Sequence, residues 1–107
     1  MKIEKMSDMK GGWFVGDFLP SIYKTDAFEV AFMTHHEGQE WPKHVHRKAT
    51  EINYLIRGKM KINEVVLEKG DIFLIEPGEA VKPVFLSDCE LIVIKTPSVV
   101  GDKYEIE

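Results

Sequence analysis

Two histidines, His44 and His46, stand one residue apart, and Glu51 follows a loop later. On an extended backbone, side chains two apart point to the same side, so these imidazoles would share one point in space. Glu51 opens the next apolar run, where the returning chain could bring a carboxylate to that point. Two imidazoles and one carboxylate make a face that binds a divalent cation and leaves positions open for water, oxygen or substrate. Neutral imidazole and ionised carboxylate are the binding forms, so affinity should fall as pH drops through the histidine range. Three inward polar groups are unfavourable unless satisfied, and one cation satisfies all three. The expected metal ligands are therefore His44, His46 and Glu51, with iron, manganese, nickel and zinc all suited to such donors.

Other residues nearby invite a role. His35 and His36 end the run that begins at Phe28, and either is a candidate extra ligand, though strand-end histidines are commonly just half-exposed. If Glu51 points inward, so do Asn53, Leu55 and Arg57, and Asn53 and Arg57 become candidate contacts for a polar or anionic ligand. Glu76, before Pro77-Gly78, is a candidate proton shuttle; an ordinary turn carboxylate is the simpler reading. Trp41 and Pro42 lead into the histidines as a lid or as a loop anchor. Cys89 is the single cysteine, so no intrachain disulfide forms, and no neighbouring cation marks it as a nucleophile.

These groups need a scaffold. Gly11-Gly12, Gly16, Pro20, Gly38, Pro42, Gly58, Gly70-Asp71, Pro77-Gly78, Ser87-Asp88 and Pro97 break the chain into short runs rich in Val, Ile and Phe. That spacing predicts antiparallel strands in an all-β sandwich or barrel, and no window keeps a helical period. Phe28, Val30 and Phe32 share one face of a strand, and Glu29, Ala31 and Met33 the other. Ile72–Ile75 and Leu91–Ile94 are continuous apolar runs, expected as strands buried on both faces. Lys59–Ile62 and Val65–Leu67 flank Asn63-Glu64, a hairpin turn. Gly12–Pro20 carries Trp13, Phe14 and Phe18, so residues 1–27 are read as an arm or strand covering apolar surface, on residues 28–107 or on a partner subunit. Ile52, Tyr54 and Ile56 would face outward, and covering that apolar face favours a homodimer.

The chain has 107 residues, enough for one domain. A net charge of −4 with scattered Lys and Arg argues against nucleic-acid binding. No apolar stretch approaches a membrane span and no signal core opens the chain, so cytoplasmic residence is the expectation.

The spacing Gly38, five residues, His44, one, His46, four, Glu51, six, Gly58 resembles the first motif of the cupin superfamily at every defining position. The resemblance, covering roughly residues 28–95, implies a small antiparallel β-barrel or jelly roll. The second cupin motif is half present. Gly70 and Gly78 hold their places, Pro77 lies one residue from the usual proline position at Glu76, Val81 replaces the histidine ligand and Phe85 the asparagine.

Three functions follow from this resemblance. One is a metal-dependent cupin enzyme acting on a small polar molecule. A second is metal-free: His44-Val45-His46-Arg47-Lys48 is similar to the histidine-rich strand of sugar-nucleotide ketoisomerases, in which imidazoles move protons as base and acid. The ending Lys95–Tyr104 is also similar to small cupins near sugar-modification enzymes. The third is a small-molecule-binding module without catalysis, which the loss of a histidine at Val81 favours.

Overall fold

Short apolar runs between turns become eleven strands and one 3-10 turn, Met6–Asp8, in the computed structural model, which describes residues 1–107. The strands are β1 (Trp13–Gly16), β2 (Tyr23–Lys24), β3 (Glu29–His35), β4 (His44–Val45), β5 (Thr50–Arg57), β6 (Lys59–Ile62), β7 (Val65–Glu68), β8 (Ile72–Ile75), β9 (Pro83–Phe85), β10 (Cys89–Thr96) and β11 (Tyr104–Glu105). Six of them form one sheet in the order β2-β1-β3-β10-β5-β8, β7-β6-β9 form a second, and β11-β4 a third. Pairing is antiparallel throughout except between β1 and β2. The architecture is the expected all-β jelly roll, although its sheets remain separate ladders instead of closing into one.

The register across the large sheet sets what points inward. Ala31, Val93 and Asn53 share one row, and Met33, Leu91 and Leu55 another. Ala31, Leu55, Leu91 and Val93 are buried, and with Met60, Phe85 and Cys89 they form the core between the large and three-stranded sheets. A third inward row is polar, with Glu29, Lys95 and Glu51 side by side on β3, β10 and β5. Trp13 of β1 packs against this core from its own chain.

Gly58 lets the chain leave the large sheet for the second. It adopts φ +95°, and a Cβ there would press on the Asp88 carbonyl and lie 2.7 Å from the Cys89 sulfur. Only glycine fits both the backbone angle and the space. The Asn63-Glu64 turn joins β6 to β7 as expected, with Asn63 itself at φ +49°. The Asn63 side chain ties this hairpin to the Ala80 carbonyl and the Lys82 amide.

Two expectations need correction. The Ile72–Ile75 run is not covered on both sides: β8 is an edge strand, and Ile72 and Leu74 are 77% and 52% exposed. Arg57 does not follow Asn53 and Leu55 inward. The register slips between Glu90 and Leu91, Ile56 is left without a partner, and Arg57 turns out to pair with Glu90 at 2.8 Å. Such a bulge breaks the alternation on which the inward assignment rests.

A candidate site in the barrel

His44, His46, Glu51 and Asn53 line one cavity of about 240 Å³, together with Met33, His35, Trp41, Val81 and Phe85 among others. The fold brings these side chains to one cavity. His44 opens the two-residue strand β4 and His46 directly follows it, and their rings lie 5.3 Å apart, edge to face. Glu51 comes from β5, with Oε1 3.6 Å from His46 Nε2.

Backbone carbonyls settle the tautomers. His46 Nδ1 lies 2.6 Å from the Asp102 carbonyl and His44 Nδ1 3.0 Å from the Pro42 carbonyl. A carbonyl only accepts, so each Nδ1 carries the proton and each Nε2 is left for the cavity. Burial holds His44 below the ordinary histidine range, against the raising effect of the Pro42 bond, and it is a neutral base near pH 7. His46 differs. Its Nε2 faces a carboxylate oxygen of Glu51. Glu51 is steadied from its other oxygen by Asn53 Nδ2 at 2.9 Å.

The strand carrying the histidines is fixed from the carboxyl-terminal segment. Tyr104 pairs with Val45 and Glu105 with His44. The buried Asp102 carboxylate accepts from the amides of Arg47, Lys48 and Ala49 at 2.9, 3.1 and 2.9 Å. Burial alone would raise its pKa, but these three bonds and the nearby His46 outweigh that and hold it below the usual range. Asp102 therefore shapes the loop after His46 with its carboxylate and orients the imidazole with its carbonyl.

Beside the histidines the lining is apolar. Val81 exchanges both backbone hydrogen bonds with His44, at 2.9 Å each, so it sits directly across from it. His35 stacks on Phe85 at 4.1 Å and meets Trp41 edge-on, with burial pushing its pKa down; it serves as aromatic wall. His36 is exposed in the following turn, and Glu76 is exposed in the turn after β8 and lines neither this cavity nor its neighbour. Cys89 is buried, its thiol donating to the Lys59 and Ser87 carbonyls, and burial raises its pKa.

Two lysines were not anticipated as site residues. Lys95 occupies the inward phase of β10, two residues beyond Val93, and its ammonium lies 3.9 Å from Glu29 and 5.0 Å from the Trp13 ring centre. Its parity was readable, but a lysine at a strand end is ordinarily assigned to solvent. Lys103 reaches the rim from the tail, 4.2 Å over the Trp41 ring, with its pKa lowered by burial and by Lys95. No spacing rule links it to the histidines.

No family model matches the chain, nor does any curated protein. Solved structures do. A conserved protein with a double-stranded β-helix domain from Klebsiella pneumoniae superposes with a TM-score of 0.68 at 24% identity, covering 78% of this chain and 73% of that one. An RmlC-like cupin from Shewanella frigidimarina gives 0.63 at 22%, covering 71% of each. The chain has the cupin fold. Pac13 from Streptomyces, a nucleoside dehydratase, shares it with a TM-score of 0.66 at 15% identity, covering 78% of this chain and 71% of that one.

Within the cupin barrel the donors His44, His46 and Glu51 suit a divalent cation by type. Their arrangement does not. No three His, Cys, Asp or Glu side chains are placed to hold a metal ion. Glu51 is engaged with Asn53, Val81 supplies no fourth donor, and Lys103 brings positive charge to the same cavity.

Proposed function

We propose that this cupin takes a small polar, sugar-related molecule into its barrel and moves a proton on it, with His44 as base and the His46–Glu51 pair as acid. The observation that carries the reading is the contrast between the imidazoles. His44 presents a free Nε2 kept neutral by burial, while His46 Nε2 faces the Glu51 carboxylate at 3.6 Å. One group able to accept and one able to donate in the same cavity is the minimum for moving a proton beside a carbonyl. A cupin fold shared with a nucleoside dehydratase supports a sugar-bearing substrate.

The test is exchange of carbon-bound hydrogen in a ketose or nucleotide-sugar panel in deuterated buffer, followed by proton NMR. Exchange is expected in the wild type, with a loss of about 10²-fold or more in His44→Gln. Equal exchange in the variant sinks the assignment.

A second reading takes His44, His46 and Glu51 as three ligands of one divalent ion, and the two free Nε2 atoms favour it. It requires Glu51 to leave Asn53. Elemental analysis separates the two: near one equivalent of iron, manganese, nickel or zinc, lost in both His44→Ala and Glu51→Ala, supports the metal.

We also propose that a second copy covers the outer face of β5 and β8. Ile52 and Tyr54 of β5 and Ile72 and Leu74 of β8 are all exposed there, and β8 is an edge strand with unpaired backbone groups. Sedimentation should give a dimer that Ile72→Asp converts to monomer; a monomeric wild type rejects it.

A further inference from the structure

A second cavity of about 290 Å³ lies beside the first, lined by Phe18, Leu19, Pro20, Val99 and Val100 with charged residues at its inner end. Trp13, Lys95 and Lys103 line both cavities. Each volume alone falls short of the roughly 300 Å³ at which small-molecule sites begin, whereas together they exceed it. The shared residues are the junction.

Charge at that junction is unbalanced. Lys10, Lys95 and Lys103 line the second cavity against Glu29 and Asp102. The Asp102 carboxylate is occupied by three backbone amides. Glu29 accepts the Ser98 hydroxyl at 2.7 Å and takes Lys95 as its ion partner. Glu51, on the histidine side, is matched to His46 and Asn53. Lys103 has no carboxylate within ion-pair distance. It is also held in place: its ammonium rests on Trp41 and has no ion partner, while that of Lys95, shared with Glu29, faces Trp13.

We infer that the two cavities are one bipartite pocket, and that its junction takes an anionic group, carboxylate or phosphate, between Lys103 and Lys95. The polar body of the molecule then extends toward His44 and His46, and an apolar substituent toward Phe18 and Val99. This deepens the proton-transfer reading and rests on it for the identity of the reacting end.

The chain has two tryptophans, each beneath one of these lysines, so both report on the junction. The experiment titrates wild type, Lys95→Met, Lys103→Met and Lys103→Arg with D-glucuronate, inorganic phosphate and D-glucose at constant ionic strength. The readouts are tryptophan fluorescence and the two indole N–H resonances. Saturable movement of both resonances is expected with D-glucuronate or phosphate and none with D-glucose; the tighter of the two distinguishes carboxylate from phosphate. Each Met variant should bind about tenfold more weakly, the loss expected for one charged hydrogen bond, and Lys103→Arg should bind as the wild type does. Amide dispersion shows whether each variant is folded. A non-saturating response shared by wild type and variants, or equal saturation by D-glucose, overturns the inference. His44→Gln keeps the anion response while losing hydrogen exchange. A protein that binds anions but exchanges nothing therefore removes only the reaction, and one that exchanges without binding anions removes only the junction.

Discussion

Two neighbouring segments of the cavity wall, residues 39–46 and 81–85, are joined through their backbones and carry opposite chemistry. On one, His44 and His46 offer free imidazole nitrogens; on the other, Val81 and Phe85 offer hydrocarbon. Val81 still exchanges both backbone bonds with His44. The ladder thus puts Val81 where a donor would stand beside His44, yet the side chain there is hydrocarbon, and a polar segment is paired with an apolar one. The difference teaches that ladder geometry and side-chain chemistry are separable in this barrel.

The largest effect should come from removing what holds the polar wall. Asp102→Ala leaves the buried Ala49 amide and the partly buried Arg47 and Lys48 amides without an acceptor, so a loss of about 3 kcal/mol is expected in urea unfolding. A loss below 1 kcal/mol would mean that the loop after His46 holds itself. Gly58→Ala, at the end of β5, combines a positive φ with contact against Cys89 and Asp88. It should lower stability by about 2 kcal/mol, read in the same assay.

A donor placed at Val81 sharpens the comparison directly. Val81→His places an imidazole opposite His44, and titration calorimetry with zinc should show at least tenfold tighter binding than in the wild type. Unchanged binding would show that the apolar wall is not what limits metal capture.

The smallest effect is in pH. His35 and His44 both have folded pKa values below the ordinary 6.5 because of burial. The unfolded chain then binds protons more readily, so stability is full above pH 6.5 and declines as pH falls from 6.5 toward the folded values. Thermal unfolding between pH 7.5 and 5 should show this slope, flattened in His35→Gln/His44→Gln. A slope of opposite sign would contradict the burial of both rings.

The polar wall was legible in sequence because fixed spacings encode it. Alternation pointed His44 and His46 the same way, and the parity of β5 put Asn53 and Leu55 inside with Ile52 and Tyr54 outside. Arg57 broke the pattern because a bulge adds a residue on one side of a ladder, which no alternation count reveals. The run Ile72–Ile75 misled for another reason. Continuous hydrophobicity says that both faces want cover, not that one chain supplies it, and here β8 is an edge. Lys103 and Asp102 were invisible as site residues because their partners lie more than 50 positions away, across contacts that only the folded tail creates.

That distance has a consequence in time. Ribosomes deliver a chain amino end first, and structure forms in that order. The strands that enclose the cavity are complete at Thr96, yet the ring of His46 and the loop behind it take their bonds from residue 102. A nascent barrel would therefore exist for a moment with its histidines unaligned, and competence would arrive only once residue 102 is made and docked.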